Sequence, residues 1–248
     1  MIIDMHAHCG VVENGHKMPI ENQLYGMEKY GIDYAIISNV ECGECHDCIE
    51  GNKRALEIVK QYRDKFSCML WATEDLTEEE KNQFEELYLQ NKDLIKGLKV
   101  HPDISKTAVD SPCFDYVYRM AEKYDLPVLL HTNNTEFSSI EKSVNAAKKY
   151  PKARFILGHM DISSDDCIEA LNAVRDYDNI YGDTCWIWLD AVKKANEMGI
   201  IHKMMFGTDS PISGKDTYMD VYYKDYYTFD ADYMRDVMCE NARKFFKF

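Results

Sequence analysis

Met1-Ile2-Ile3-Asp4-Met5-His6-Ala7-His8 opens the chain. In an extended strand successive side chains alternate between faces, which puts Asp4, His6 and His8 on one side. Two imidazoles side by side on a rigid strand each offer a neutral nitrogen to the same divalent cation. The apolar Ile2-Ile3 lead-in ties such a strand into a core. On these eight residues alone, two histidines meeting by chance at an exposed terminus is the plainer account, so the other 240 residues decide between them.

Short apolar or β-branched segments alternate with amphipathic ones along the rest of the chain, with a repeat about the size of one strand-helix unit. After His8 a loop runs to Pro19. Helical spacing then carries Leu24, Met27 and Tyr30 to Gly31, a C-terminal cap. Further strands are expected at Tyr34–Ser38, Ser67–Ala72, Lys96–Val100, Pro127–His131, Phe155–His159, Ile180–Asp183 and Met204–Asp209. Between them, Ala55, Leu56, Val59 and Tyr62 mark one helix face, and Phe114, Val117 and Ala121 another. Thr77 and Glu80 have capping-box spacing. A last helix is predicted over Asp232–Phe246, with Tyr233, Val237 and Phe245 on its apolar stripe.

Eight strand-helix units in 248 residues predict an α/β fold, a single (β/α)8 TIM-like barrel occupying 1–248 as one domain. An open doubly wound sheet needs a Gly-rich phosphate turn after an early strand, and none is present. The barrel gives the histidines a meaning, because this fold carries its site at the C-terminal ends of the strands. Of eight histidines, five fall at predicted strand ends: His6, His8, His101, His131 and His159. Asp209 ends the eighth strand, whereas His16, His46 and His202 fall elsewhere. Singly, each is an ordinary hydrogen-bonded residue; together they describe a convergent site.

Composition narrows the partners. Lys plus Arg is 29 and Asp plus Glu is 43, a formal charge of −14. Phosphates would be repelled over most of the surface, which argues against nucleic acid and against an anionic membrane. No apolar run reaches the ~20 residues of a membrane span, and no basic region followed by an apolar stretch marks a secretory signal. Nine cysteines, an odd number without such a signal, suit reduced thiols in the cytoplasm.

His-x-His on strand one, His131, His159 and Gly207-Thr-Asp-Ser-Pro211 together resemble the amidohydrolase superfamily. Gly97-Leu-Lys-Val-His-Pro102, Leu126-Pro-Val-Leu-Leu-His131 and Glu240-Asn-Ala-Arg243 resemble its branch of small metal-dependent hydrolases and aromatic-acid decarboxylases. The resemblance spans nearly the whole chain. It implies that His6, His8 and His131 bind one divalent metal, with Asp209 as a further ligand or as the base beside it. It implies that His159 orients the water or polarises the substrate. Zinc is the expected ion, with manganese, iron or a second metal as alternatives. Three imidazoles leave a coordination position open, and zinc lowers the pKa of water from 15.7 to about 7. Asp209 is then placed to take the proton on attack and return it to the leaving group.

Lys99 shares a strand face with His101, and related two-metal enzymes carry a carboxylated lysine on strand four. The one-metal resemblance instead makes Lys99 an unmodified ammonium that neutralises a carboxylate or binds the substrate near the barrel mouth, and His101 either ends its strand or reaches the pocket beside it. Glu41-Cys-Gly-Glu-Cys-His-Asp-Cys48 contains the haem-attachment pattern Cys42-x-x-Cys45-His46, and Cys42, Cys45, His46 and Cys48 also make a crowded zinc set. Ordinary loop thiols near the barrel mouth are the simpler expectation. The stretch 210–229 carries Tyr218, Tyr222, Tyr223, Tyr226 and Tyr227, and with Trp186 and Trp188 it reads equally as an aromatic wall or lid over the metal and as a face buried against a second copy in a homo-oligomer.

Three functions are compatible with this sequence. The leading one is metal-dependent hydrolysis of a small ester, lactone or amide. The first alternative is decarboxylation of an aromatic or unsaturated acid, disfavoured because only Arg54 among the arginines falls near a loop on the active face. The second alternative is a non-catalytic metal-binding or redox-responsive barrel built around the Cys-rich stretch.

Overall fold

A computed structural model describes residues 1–12 and 15–248. The predicted loop up to Pro19 contains Glu13 and Asn14, which lie outside the described residues. The first half of the chain runs β1 (Ile3–Val11), β2 (Lys17–Met18), α1 (Ile20–Tyr30), β3 (Tyr34–Asn39), α2 (Glu41–Glu44), α3 (Cys48–Gln61), β4 (Phe66–Ala72), α4 (Glu78–Gln90), β5 (Ile95–Val100), α5 (Pro102–Ser105) and α6 (Asp115–Tyr124). The second half runs β6 (Pro127–His131), α7 (Ile140–Lys149), β7 (Arg154–Gly158), α8 (Ile168–Asp176), β8 (Ile180–Asp183), α9 (Leu189–Glu197), β9 (Met204–Met205), α10 (Asp232–Arg235) and α11 (Asn241–Phe246).

The strands form one curled sheet in the order β2-β1-β3-β4-β5-β6-β7-β8-β9. All neighbours are parallel except β1 and β2, whose antiparallel pairing Gly10↔Met18 and Val11↔Lys17 is a short hairpin where a loop was expected. The far edge comes back to the start: Met5 donates to the Phe206 carbonyl at 2.9 Å, and His8 to that of Ser210 at 2.7 Å. Ala7 and Ser210 form a parallel bridge. Strands covered on both faces read as unbroken apolar runs, and all seven residues of β4 are buried.

Local rules account for most boundaries. Gly31 ends α1 at φ 72°, its N–H donating to the Met27 carbonyl, a conformation glycine adopts without the Cβ clash. Thr77 and Glu80 form the expected capping box at the start of α4. The last predicted helix is helical over its length but passes through a π-turn at Asp236–Glu240 between α10 and α11. It presses Cys239, Ala242, Phe245 and Phe246 onto Ile3, Met5, Ile36, Met69, Leu129, Ile156 and Met205. Side chains from six strands therefore share one plug at this pole, and the opposite pole is left to polar groups. Among the described residues no helix is long and apolar enough to cross a membrane.

The alternation expected along β1 does not hold. The β1–β3 register is irregular between Asp4 and Ala7, and such a bulge resets which face each side chain meets. Met5 joins the apolar plug, yet its neighbour His6 reaches the polar pole with His8. Asp4 turns instead to Thr208, accepting from its Oγ1 at 2.6 Å and from its backbone N–H at 3.2 Å.

Candidate metal centre

His6 and His8 lie within β1, Lys99 within β5, and His131 closes β6. His101 follows β5, His159 follows β7, and Asp209 lies four residues beyond β9. All seven predicted site residues meet at the C-terminal pole. Asp209 is the hub: its Oδ1 stands 2.8 Å from His8 Nε2 and 3.2 Å from His6 Nε2, and its Oδ2 accepts from Trp186 Nε1 at 3.1 Å. The His159 ring centre is 5.0 Å from that of His6 and 4.7 Å from that of His131. His101 stacks on His131 at 3.8 Å.

The backbone at these points is unusual. Asp209 and the run His159, Met160 and Asp161 all have positive φ, at 64°, 67°, 51° and 70°. Non-glycine residues enter this region at a cost that surrounding bonds must offset. The Asp209 N–H donates to the His6 carbonyl at 2.7 Å. The Asp161 N–H donates to Thr132 Oγ1, which itself donates to the Gly158 carbonyl. Gly207 serves a different need: a Cβ there would stand 2.3 Å from Asp183 Oδ1 and 2.8 Å from His6 Cβ.

Three supporting residues were not singled out for the site by the sequence reading. Asp183 Oδ2 lies 2.6 Å from His6 Nδ1, the carboxylate–histidine arrangement that fixes a ligand's tautomer and ring orientation. Asp103 Oδ2 lies 3.3 Å from His131 Nε2, and Asp103 is itself held by Thr135 and Ser138. Cys185 is fully buried, its sulfur facing the Tyr223 hydroxyl at 3.8 Å. Asp183 ends a predicted strand and carried that much signal; Asp103, in the short helix α5, and Cys185, in a turn, carried none.

Burial sets the charges. It drives the imidazoles of His6 and His159 well below their ordinary pKa, so both are neutral nitrogen donors. Burial brings Lys99 down to about 8, with Asp209 and Asp183 opposing the drop. Burial alone would raise Asp209, but His159, His6 and the His8 bond together hold it well below the usual carboxylate range.

A divalent ion fits this donor set. With Asp183 accepting from Nδ1, His6 Nε2 presents a lone pair toward an ionised Asp209 oxygen, an arrangement that calls for positive charge. Lys99 Nζ stands 3.2 Å from the same nitrogen. His159 Nδ1 is buried with no hydrogen-bond partner in the protein, a state that a bound water, ligand or ion relieves. Ligand atoms of His6, His159, Cys185 and Asp209 all lie within 4.8 Å of one another.

The polar floor opens into a cavity of about 330 Å³. Trp71, Trp186, Ile104, Ile162 and Ile212 line it, together with the carboxylate of Glu44. The tyrosine-rich stretch is packed into the chain through three of its five tyrosines, while Met219 and Val221 stay exposed. Tyr218, Tyr223 and Tyr226 are buried, with the Tyr223 hydroxyl donating to the Thr208 carbonyl and that of Tyr226 to the Ile187 carbonyl. Trp186 supplies the wall, and Trp188 stays at the surface against Tyr222. The Cys-rich stretch is largely helical, in α2 and the start of α3. Cys42 and Cys48 are buried, Cys45 is exposed, and its thiols form no ligand cluster with His46 among the described residues.

The amidohydrolase family model matches residues 3–248. No curated protein matches the chain. Among solved structures, 4-oxalomesaconate hydratase from Rhodopseudomonas palustris is 15% identical with a TM-score of 0.72, over 100% of this chain and 96% of that one. A 5-carboxyvanillate decarboxylase from Novosphingobium aromaticivorans, complexed with manganese and 4-hydroxy-3-methoxy-5-nitrobenzoic acid, is 15% identical with a TM-score of 0.70, again over 100% and 96%. A probable 2-pyrone-4,6-dicarboxylic acid hydrolase from Acinetobacter baumannii, with citric acid bound, is 14% identical with a TM-score of 0.67 over 100% and 99%. At these identities the likeness is one of fold, and three reactions share it. The sequence match, not the shared fold, decides membership: the chain belongs to the amidohydrolase family and is an enzyme of that superfamily.

Proposed function

We propose that residues 1–248 form one metal-dependent hydrolase domain, its sheet closed as a (β/α)8 barrel, acting on a small neutral ester, lactone or amide. The bonds joining β1 to 206–210 support closure. The observation that carries the hydrolase reading is the cavity lining: largely apolar side chains, two carboxylates in Glu44 and Asp209 and, among the described residues, no arginine. Arg54 is engaged by Glu41 and Asp47. An acid substrate would therefore meet a like charge on entry and find no bidentate partner.

His6, His8, His131 and Asp209 would hold a single cation, with zinc first among the candidates for a nitrogen-rich set and manganese or iron also compatible. Such an ion would supply Lewis acidity to water and to the substrate carbonyl. Asp209, ionised and central, takes the proton of the attacking water and hands it to the leaving group. His159, a neutral imidazole lining the cavity, donates to the developing oxyanion. Asp183 and Asp103 keep the His6 and His131 rings oriented. Lys99 is an unmodified ammonium that offsets the charge of Asp209 and Asp183; a carbamate signal in carbon NMR after growth on labelled bicarbonate would remove this assignment.

Decarboxylation is the second reading. Lys99 favours it, as the one lysine or arginine lining the cavity among the described residues and so a group there able to meet a substrate carboxylate, as does the decarboxylase among the similar folds. A panel of neutral esters, lactones and amides set against hydroxylated benzoates separates the two. Hydrolytic turnover abolished in Asp209→Asn supports the first; carbon dioxide release with no hydrolysis establishes the second.

A further inference from the structure

We propose a second cation seat beneath the cavity floor, formed by His6, His159, Cys185 and Asp209 and selective for a thiophilic ion. It rests on the cation-binding reading above, shares His6 and Asp209 with that outer set, and replaces His8 and His131 by a sulfur and a further nitrogen. Four donors around a tetrahedral ion with bonds of about 2.0–2.3 Å stand roughly 3.3–3.8 Å apart. The observed spread, within 4.8 Å, leaves only about an ångström of contraction. Neither His6 nor Cys185 lines the cavity, whereas His8, His131, His159 and Asp209 do, so the seat lies below the place where substrate would sit.

Two further observations point to a ligand there. His159 Nδ1 is buried without a partner, and His159 is only 2% exposed. The Cys185 thiol is fully buried, its backbone N–H donates to Asp183 Oδ1 at 2.8 Å, and Asp209 lies in the same cluster. A bound cation favours thiolate over thiol. When the ion enters, the S–H bond breaks, the sulfur pair bonds the ion, and the proton leaves to bulk water. A soft sulfur added to two imidazoles discriminates among ions: cadmium and zinc gain from it, and manganese does not. Because His6 has only Nε2 free of Asp183 and cannot serve both seats at once, a thiophilic ion here displaces the ion of the outer set.

Titration with cadmium and, separately, manganese tests this on the full chain. Cadmium is expected to produce the near-ultraviolet thiolate-to-metal charge-transfer band. Cys185→Ser should abolish the band and weaken cadmium binding at least tenfold, with manganese binding changed less than twofold. The Cys42→Ser, Cys45→Ser, Cys48→Ser triple variant should keep the band. If Cys185→Ser does not fold, as judged by circular dichroism, cadmium–sulfur scattering in X-ray absorption of the wild-type and triple-variant proteins decides the matter, with sulfur present in both as support. Cadmium bound without sulfur, or a band that survives Cys185→Ser, overturns the second seat and leaves the outer site standing. No binding of either ion overturns both.

Discussion

Two regions of this chain hold cysteine and histidine close together, and they behave in opposite ways. Cys42, Cys45, His46 and Cys48 crowd into seven residues yet do not converge, because the backbone there winds into α2 and α3 and sends the thiols to different surroundings. His6, His159, Cys185 and Asp209 are spread along most of the chain yet gather within 4.8 Å. Nearness in sequence is weak evidence of a site when a helix intervenes. Placement at the same pole of a parallel sheet is strong evidence, because the sheet repeats that placement strand after strand.

The sharpest way to break this contrast is at the hub. Asp209→Asn should lower turnover on whichever ester, lactone or amide is found by about 10³-fold, within the range for losing a general base; stopped assays with matched folding by circular dichroism check it. Asp183→Asn acts one step further out. It should weaken metal binding by about 10–100-fold through the freed His6 ring, read by competition with a chromogenic chelator. In the contrasting region, Cys42→Ser with Cys48→Ser should leave metal content unchanged. Each buried hydroxyl costs about 1–3 kcal/mol where it is left poorly paired, visible as a lower urea midpoint. A fall in metal content would erase the distinction between the two regions.

The smallest effect concerns pH. Burial alone would raise Asp103, but bonds from His131, Thr135 and Ser138 bring it down to about 2. A carboxyl depressed on folding stabilises the native state above its unfolded pKa, near 3.9. That contribution fades as pH falls from about 4 through about 2. The stability gap between wild type and Asp103→Asn should therefore be constant above about pH 4 and close below it, by urea unfolding at a series of pH values. A gap independent of pH would detach Asp103 from His131.

The strand-helix repeat, the Thr77 box, the Gly31 cap and the gathering of all seven site residues were legible in the sequence, since each rests on a local pattern or on its repetition. The β1 alternation was not. A bulge between Asp4 and Ala7 depends on what the neighbouring strands demand, and it turned Asp4 away from the face of His6 and His8 to Thr208. Asp103 and Cys185 escaped for a related reason: each meets its partner only after residues far away in sequence are folded beside it. The tyrosines of 210–229 were left open between a lid and a subunit face because their spacing carries no clear period. Two of their hydroxyls, on Tyr223 and Tyr226, find backbone carbonyls inside the chain, at Thr208 and Ile187.

Gly207 draws a boundary for anyone who would alter this enzyme by random variation. Its missing side chain leaves the room that Asp183 and His6 occupy, so a library randomised at 207 should return glycine alone among metal-retaining clones. Ile104, Ile162 and Ile212 line the cavity without touching that arrangement, and the same selection should tolerate many residues at each. The substrate range of a lineage built on this chain is then free to drift along one wall of the cavity, with position 207 as a fixed point.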